Sequence, residues 1–176
     1  MTLPEGFLLV PERPFDPDAI EQLLDRAFGP GRRARRSYSF REGIASDPAL
    51  RFVALDPAGV LVGTLRFWPL VLLAPPAPSR RALLLGPLAV EPALNGRGVG
   101  RALVRHGLEA ARATGHALVL LVGDPSYYAQ FGFEPAAPLG FGMPGEDPAR
   151  LQVLALAPGG HGGGGMVARA DAPAPA

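Results

Sequence analysis

The run Leu88-Ala89-Val90-Glu91-Pro92-Ala93-Leu94-Asn95-Gly96-Arg97-Gly98-Val99-Gly100 has residue types and spacing suited to holding an anion. A hydrophobic strand ends, a short turn follows, and alternate glycines lead into a helix. Glycine lets a ligand come close to the backbone. The free N–H groups of a helix start, together with the positive end of its dipole, bind anions. Arg97 and Arg101 stand beside this start, where each can pair with further phosphate oxygens. On the residues alone this is a site for a phosphate-bearing ligand, with a glycine-rich turn that binds nothing as the plain alternative.

A dinucleotide site of the Rossmann kind is the sharper rival, because Asp124 falls at the end of the next strand, where a ribose-binding acid would stand. Two details count against it. Position 101, where the third glycine would fall, is arginine, and several residues separate Val90 from Gly96 where Rossmann glycines follow their strand at once.

What the chain lacks narrows the chemistry further. Without cysteine there is no disulfide, thiol nucleophile or thiolate-bound zinc. All 17 basic residues are arginine, which removes lysine Schiff bases and the P-loop lysine. His106, His116 and His161 lie far apart, so no local spacing suggests a metal. A net charge of +1 argues against nucleic acid or an anionic membrane surface as partner. The apolar runs near Leu70–Pro76 and Ala82–Val90 are broken by proline and too short to span a bilayer. Met1–Val10 has no basic segment and too short an apolar run for a secretory signal, so a cytoplasmic location is expected.

These residues need a frame. Phe7–Val10 reads as a strand. Asp16 reads as an N-cap with Pro17 at the first helical position, and Phe15 and Ile20 are spaced for a hydrophobic staple. Ile20, Leu23, Leu24, Ala27 and Phe28 form a helical stripe. A solvated basic turn, Arg32, Arg33, Arg35 and Arg36, leads to a short helix near Ser37–Gly43. Strands follow at Arg51–Leu55 and Val60–Leu72, then a loop at Pro75, Pro76 and Pro78. The strand Leu83–Val90 is interrupted at Gly86–Pro87, where a bulge or splayed edge is expected. Gly100, Leu103, Val104, Gly107, Leu108 and Ala111 make the apolar face of the longest helix, and Ala117–Val122 is a strand buried on both faces. Strand, crossover helix and strand form a βαβ unit, so part of the sheet is parallel. Ser126–Phe131 reads as a short helix. Leu151–Ala157 and Met166–Ala170 are expected to pair with each other. The expectation is one α/β domain over residues 1–170, with a frayed tail at 171–176.

Hydrophobic-x-Val, a nearby proline, and then Asn95-Gly96-Arg97-Gly98-Val99-Gly100 opening a helix resemble the acetyl-CoA signature of the GNAT N-acetyltransferases. Asn95 stands where Gln or Arg is usual. Gly123-Asp124-Pro125-Ser126-Tyr127-Tyr128-Ala129-Gln130-Phe131-Gly132-Phe133 is similar to that family's tyrosine-x-x-x-Gly-Phe segment, in a small bacterial branch with Gly-Asp-Pro before the tyrosines. The resemblance covers nearly the whole chain. It implies a mixed sheet of about six to seven strands, splayed at its centre and flanked by about four helices.

The resemblance also implies roles. Asn95, Gly96, Arg97, Gly98, Val99, Gly100 and Arg101 would hold the pyrophosphate of acetyl-CoA. Leu88, Ala89 and Val90 would pair with the pantetheine arm and polarise the thioester carbonyl. Tyr128 would protonate the departing thiolate, with no metal involved. A phenol with pKa near 10 is protonated at neutral pH and can donate to a thiolate whose acid lies near 8.5. Tyr127 then reads as structural, Asp124 as a helix cap, and Phe131 and Phe133 as core. Glu42 is one candidate for the base and a water chain is the alternative, and Trp68 faces either cleft or core. The acceptor is an unidentified amine, shaped in such folds by the first two helices and a late strand pair; a homodimer is compatible. An acyl-CoA-binding module without turnover is the alternative from another functional class.

Overall fold

The computed structural model describes residues 3–171. Strand β1 (Leu8–Pro11) leads to helix α1 (Pro17–Phe28), a 3-10 turn at Pro30–Ala34, and the single-turn helix α2 (Arg36–Ser39). Strands β2 (Arg51–Leu55), β3 (Leu61–Ala74) and β4 (Ala77–Val90) follow, then helix α3 (Val99–Ala113), strand β5 (Leu118–Val122) and the short helix α4 (Pro125–Tyr128). The short strands β6 (Glu134–Pro135) and β7 (Phe141–Gly142) precede β8 (Leu151–Ala155) and β9 (Gly165–Arg169).

The main path of the sheet runs β1-β2-β3-β4-β5-β8-β6, with β9 beside the second half of β3 and β7 against β9. Pairing is antiparallel except for β4–β5 and β7–β9. The mixed sheet and its four helices match the architecture expected. No helix among the described residues is long and apolar enough to cross a membrane.

Several expectations need correction. The strands β8 and β9 do not pair with each other. Both edges of β8 are taken, by β5 and by β6, so the glycine-rich connection carries the chain across to β3. The Arg80 guanidinium pins that connection by donating to the carbonyls of Gly160, His161 and Gly164. The proline loop is a tight reversal, with Ala74 opposite Ala77.

At the start of α1, Phe15 is 71% exposed, with the Arg13 guanidinium over its ring, so no staple closes on Ile20. Asp16 is buried and caps no helical N–H through its side chain; its carboxylate instead accepts from the Arg13 backbone N–H at 2.8 Å and from the Arg13 guanidinium. Of the tail expected from residue 171, Asp171 is held by the Arg169 guanidinium; residues 172–176 lie outside those described.

Three packed clusters divide the core. Helix α3 buries Val99, Leu103, Val104, Leu108 and Ala111 on one face of the sheet. Ile20, Leu23 and Leu24 of α1 meet Val53, Leu55 and Ala89 in a separate cluster, and a third lies against the second half of β3 and the first half of β4.

Candidate active site

The interruption expected at Gly86–Pro87 is a β-bulge. Leu65 stands opposite Leu88 and Phe67 opposite Leu85, so a single β3 residue faces both Gly86 and Pro87. Gly86 has φ of +126°, which a side chain would oppose. Before the bulge, Leu83 and Leu84 pair with Val119 and Leu120 of β5. Beyond it, among the described residues, no strand lies on the β5-facing edge of Leu88–Val90. An open strand edge offers N–H and C=O groups to an extended partner.

The chain then turns through Pro92–Leu94 into α3. Gly98 takes the N-cap position in the left-handed region, at φ of +91°. The N–H groups of Val99 and Gly100 fall in the first helical turn, where no intrahelical carbonyl can accept them. A Cβ placed on Gly96 would meet nothing within 4 Å, so the backbone there is open to a ligand. Asn95, Gly96 and Arg97 are exposed, and the Arg97 guanidinium lies over the Phe7 ring. Arg101 stands close enough to Tyr127 to lower its pKa, against the larger upward push of burial.

The two tyrosines divide the space next to this start. A Cβ on Gly100 would lie 3.1 Å from the Tyr127 hydroxyl and 3.5 Å from Val90 Cγ2. Tyr128 turns further in, edge-on to Tyr127 and Phe133. Leu88, Val90, Tyr128 and Phe131 all pack against the same cluster as α3, so the open edge, the helix start and the tyrosines share one face. Burial pushes the Tyr128 phenol above the usual range, and Tyr127 adds to the shift. Asp124 caps α4, accepting the N–H and hydroxyl of Ser126 at 2.9 and 2.8 Å.

A cavity of about 550 Å³ lies on the side of α1 and α2, its walls including Glu21, Arg41, Glu42, Arg66, Trp68 and Pro87. Pro87 belongs to the bulge, so the cavity reaches the point where β4 leaves β5. Trp68 is half-buried on the cavity wall, its indole N–H donating to the Gly86 carbonyl at 2.7 Å. The basic turn is only partly solvated. Arg32 is 2% exposed, held by Glu21, Asp25 and the Tyr38 hydroxyl, which outweigh desolvation and raise its pKa. Arg66 is paired with Glu12.

Arg41 was not singled out by sequence, since one arginine in an irregular segment has no periodicity to mark it. It is 9% exposed, and burial pulls its guanidinium down to about 10.

The family model for the acetyltransferase (GNAT) domain matches residues 13–136. An uncharacterized N-acetyltransferase of Escherichia coli, YhbS, is 35% identical over 127 residues, 72% of each chain. The crystal structure of YhbS in complex with CoA superposes with a TM-score of 0.77 at 33% identity, covering 92% of this chain and 88% of that one. A GNAT family acetyltransferase from Brucella melitensis, in complex with acetyl-CoA, gives a TM-score of 0.67 at 27% identity over 94% and 96% of the two chains.

Proposed function

The chain belongs to the GNAT family of N-acetyltransferases, and from that premise we propose that it moves the acetyl group of acetyl-CoA to a primary amine by direct attack. The observation that carries this reading is a single shared face: the open edge of Leu88–Val90, the start of α3 and the Tyr127–Tyr128 pair all meet there. The crystallised relatives named above were solved with CoA and acetyl-CoA.

The diphosphate falls to the backbone of Asn95–Arg101. Gly96 leaves room, Gly98 turns the chain into α3, and the first-turn N–H groups supply donors where the helix dipole favours negative charge. Arg97 and Arg101 add charge at the mouth. The β4 edge at Leu88, Ala89 and Val90 offers main-chain partners to an extended arm, as an added strand would. An N–H there, aimed at the thioester oxygen, stabilises the charge that develops as the amine attacks.

Acetyl-CoA supplies an activated acyl group, and the residues have only to position it and handle one proton. Tyr128 is the proton donor. Its buried phenol holds its proton at neutral pH and so is available to the leaving sulfur. Because a free thiol, with a pKa near 8.5, is the stronger acid, the donation works by stabilising charge on the sulfur as the C–S bond breaks. The proton released by the attacking amine makes good the one given. Holding amine and thioester in contact contributes much of the rest.

Calorimetry with acetyl-CoA, CoA and NAD tests the binding half. Micromolar binding of the CoA species and none of NAD is expected; failure to bind CoA, or tight NAD binding, sinks the reading. An assay of thiol release over a panel of amines tests turnover. Binding without release from any amine would leave an acyl-CoA-binding module in its place.

A further inference from the structure

Burying an arginine is costly unless an anion or a set of acceptors meets it. Arg33 and Arg35 on the cavity wall are exposed, and the more enclosed arginines there other than Arg41 satisfy this rule within the chain. Arg32 has Glu21 and Asp25, and Arg66 has Glu12. Arg41 is the exception. Its Nε and Nη1 are buried without a hydrogen-bond partner, and among the described residues no carboxylate pairs with it. Two rings flank its guanidinium, with centres 4.9 Å away for Tyr38 and 6.0 Å for Trp68.

Packing on these rings does not account for the position. Stacking uses the face of a guanidinium and leaves its in-plane donors to be satisfied, and Arg41 is one of the residues that line the cavity. The segment is also fixed from outside. The Arg169 guanidinium donates to the carbonyls of Ser39 and Glu42, on either side of Arg41. The side chain reaches the bulge: its Nη2 lies 3.1 Å from where a Cβ on Gly86 would be.

We infer that the acceptor is a small amine carrying an anionic oxyacid group, carboxylate or phosphate, which the Arg41 fork grips beside the Gly86–Pro87 bulge. The inference rests on the acetyl-transfer reading above and adds the substrate class to it. Because Arg41 touches the bulge that opens onto the Leu88–Val90 edge, the bound anion lies next to the transfer point. The anionic group and the amine must therefore be separated by a short linker, as in an amino acid. A cavity of about 550 Å³ suits a molecule of that size. Glu42, also on its wall, supplies an opposite charge for an ammonium that must lose a proton before it attacks.

The test compares matched acceptors on the full chain at saturating acetyl-CoA, reading thiol release. L-amino acids are set against their carboxamides, and O-phosphoethanolamine against ethanolamine, so that each pair differs in the anionic group. The anionic members should lead in kcat/KM by about 100-fold, the scale of lost hydrogen bonds to a charged group; whichever pair does so identifies the anion. Amino acid carboxamides have the less basic amine, so intrinsic reactivity works against this outcome. In R41Q the ratio should collapse toward unity while calorimetric affinity for acetyl-CoA stays within twofold, and R41K should keep part of the preference.

Equal rates within both pairs overturn the inference, as does turnover confined to neutral amines, or no turnover by either kind while acetyl-CoA binds. If R41Q does not fold, the wild-type ratios decide. Failure of acetyl-CoA to bind instead fells the reading beneath it, and the calorimetry separates the two.

Discussion

The Tyr127 hydroxyl stands 3.1 Å from the position a Cβ would take on Gly100. The tyrosine that sequence alone marks as structural is thus the one in contact with the α3 start, while Tyr128 lies deeper among Phe131, Phe133 and Tyr127. Two adjacent phenols so arranged separate cofactor seating from proton donation, and the separation can be measured.

Gly100→Ala should move stability and affinity in opposite directions. Alanine in the first turn of a helix is favoured over glycine by about 1 kcal/mol, and its Cβ would meet only the end of a movable tyrosine and one valine methyl. The melting temperature should hold or rise slightly. The displaced Tyr127 would intrude on the first-turn N–H groups, so the Kd for acetyl-CoA should rise about tenfold, or about 1.4 kcal/mol. Calorimetry and a thermal melt on one preparation suffice; unchanged affinity would remove Gly100 from the cradle.

Tyr128→Phe should lower kcat by about 100-fold or more, the usual range for a lost general acid, with acetyl-CoA affinity unchanged. The pH profile supplies a second check. Burial first, and Tyr127 after it, push the Tyr128 pKa above that of a free phenol. The protonated, competent form therefore persists with rising pH, and kcat should show no fall between about pH 7 and 10 from loss of this proton. A descending limb in that interval, absent from the variant, would mean that the phenol titrates where this environment forbids it.

Periodic elements were legible in the sequence, and contacts made by lone side chains were not. The stripe from Gly100 to Ala111 marked α3, and Gly86–Pro87 marked the bulge, because a missing N–H and a missing Cβ have local consequences whatever surrounds them. Strand partners are another matter. Nothing between Leu151 and Arg169 records that β5 and β6 have already taken both edges of β8. The cavity escaped for a related reason. Arg32 looks solvated in a run of arginines, and its burial depends on Glu21 and Asp25 one helix earlier. Arg41 acquires meaning only when Tyr38, Trp68 and Gly86 close around it.

Acid should weaken the fold in part through Asp16. Burial alone would raise its pKa, but hydrogen bonds from the Arg13 side chain and backbone and the charge of Arg13 outweigh it, so the folded value lies below the unfolded one. A depressed carboxylate contributes stability that is fully present above its unfolded pKa, near 4, and is lost as pH falls through the lower folded value. Asp16→Asn should cost about 2 kcal/mol at neutral pH, and the gap between variant and wild type should narrow on acidification below about pH 4. Urea titrations at pH 7 and pH 3 read both; a gap that widens in acid would reverse the assignment.

Gly107→Ala tests the opposite balance to Gly100→Ala on the same helix. Propensity again favours alanine by about 1 kcal/mol in a helix interior. Here, however, the added Cβ would lie 2.6 Å from Phe67 Cε2 and 2.9 Å from Leu65 Cδ2. Both are side chains of β3, each 0% exposed and packed under α3. Neither can swing into solvent, so the helix must lift or the ring must leave its packing position, at a cost of about 1–3 kcal/mol for an overpacked core. The steric term wins, and net destabilisation is expected in denaturant titration. Because α3 begins at the proposed diphosphate cradle, lifting it should also weaken acetyl-CoA binding, with Tyr128 left untouched. A variant as stable as the wild type would mean that α3 does not press on β3 through Gly107.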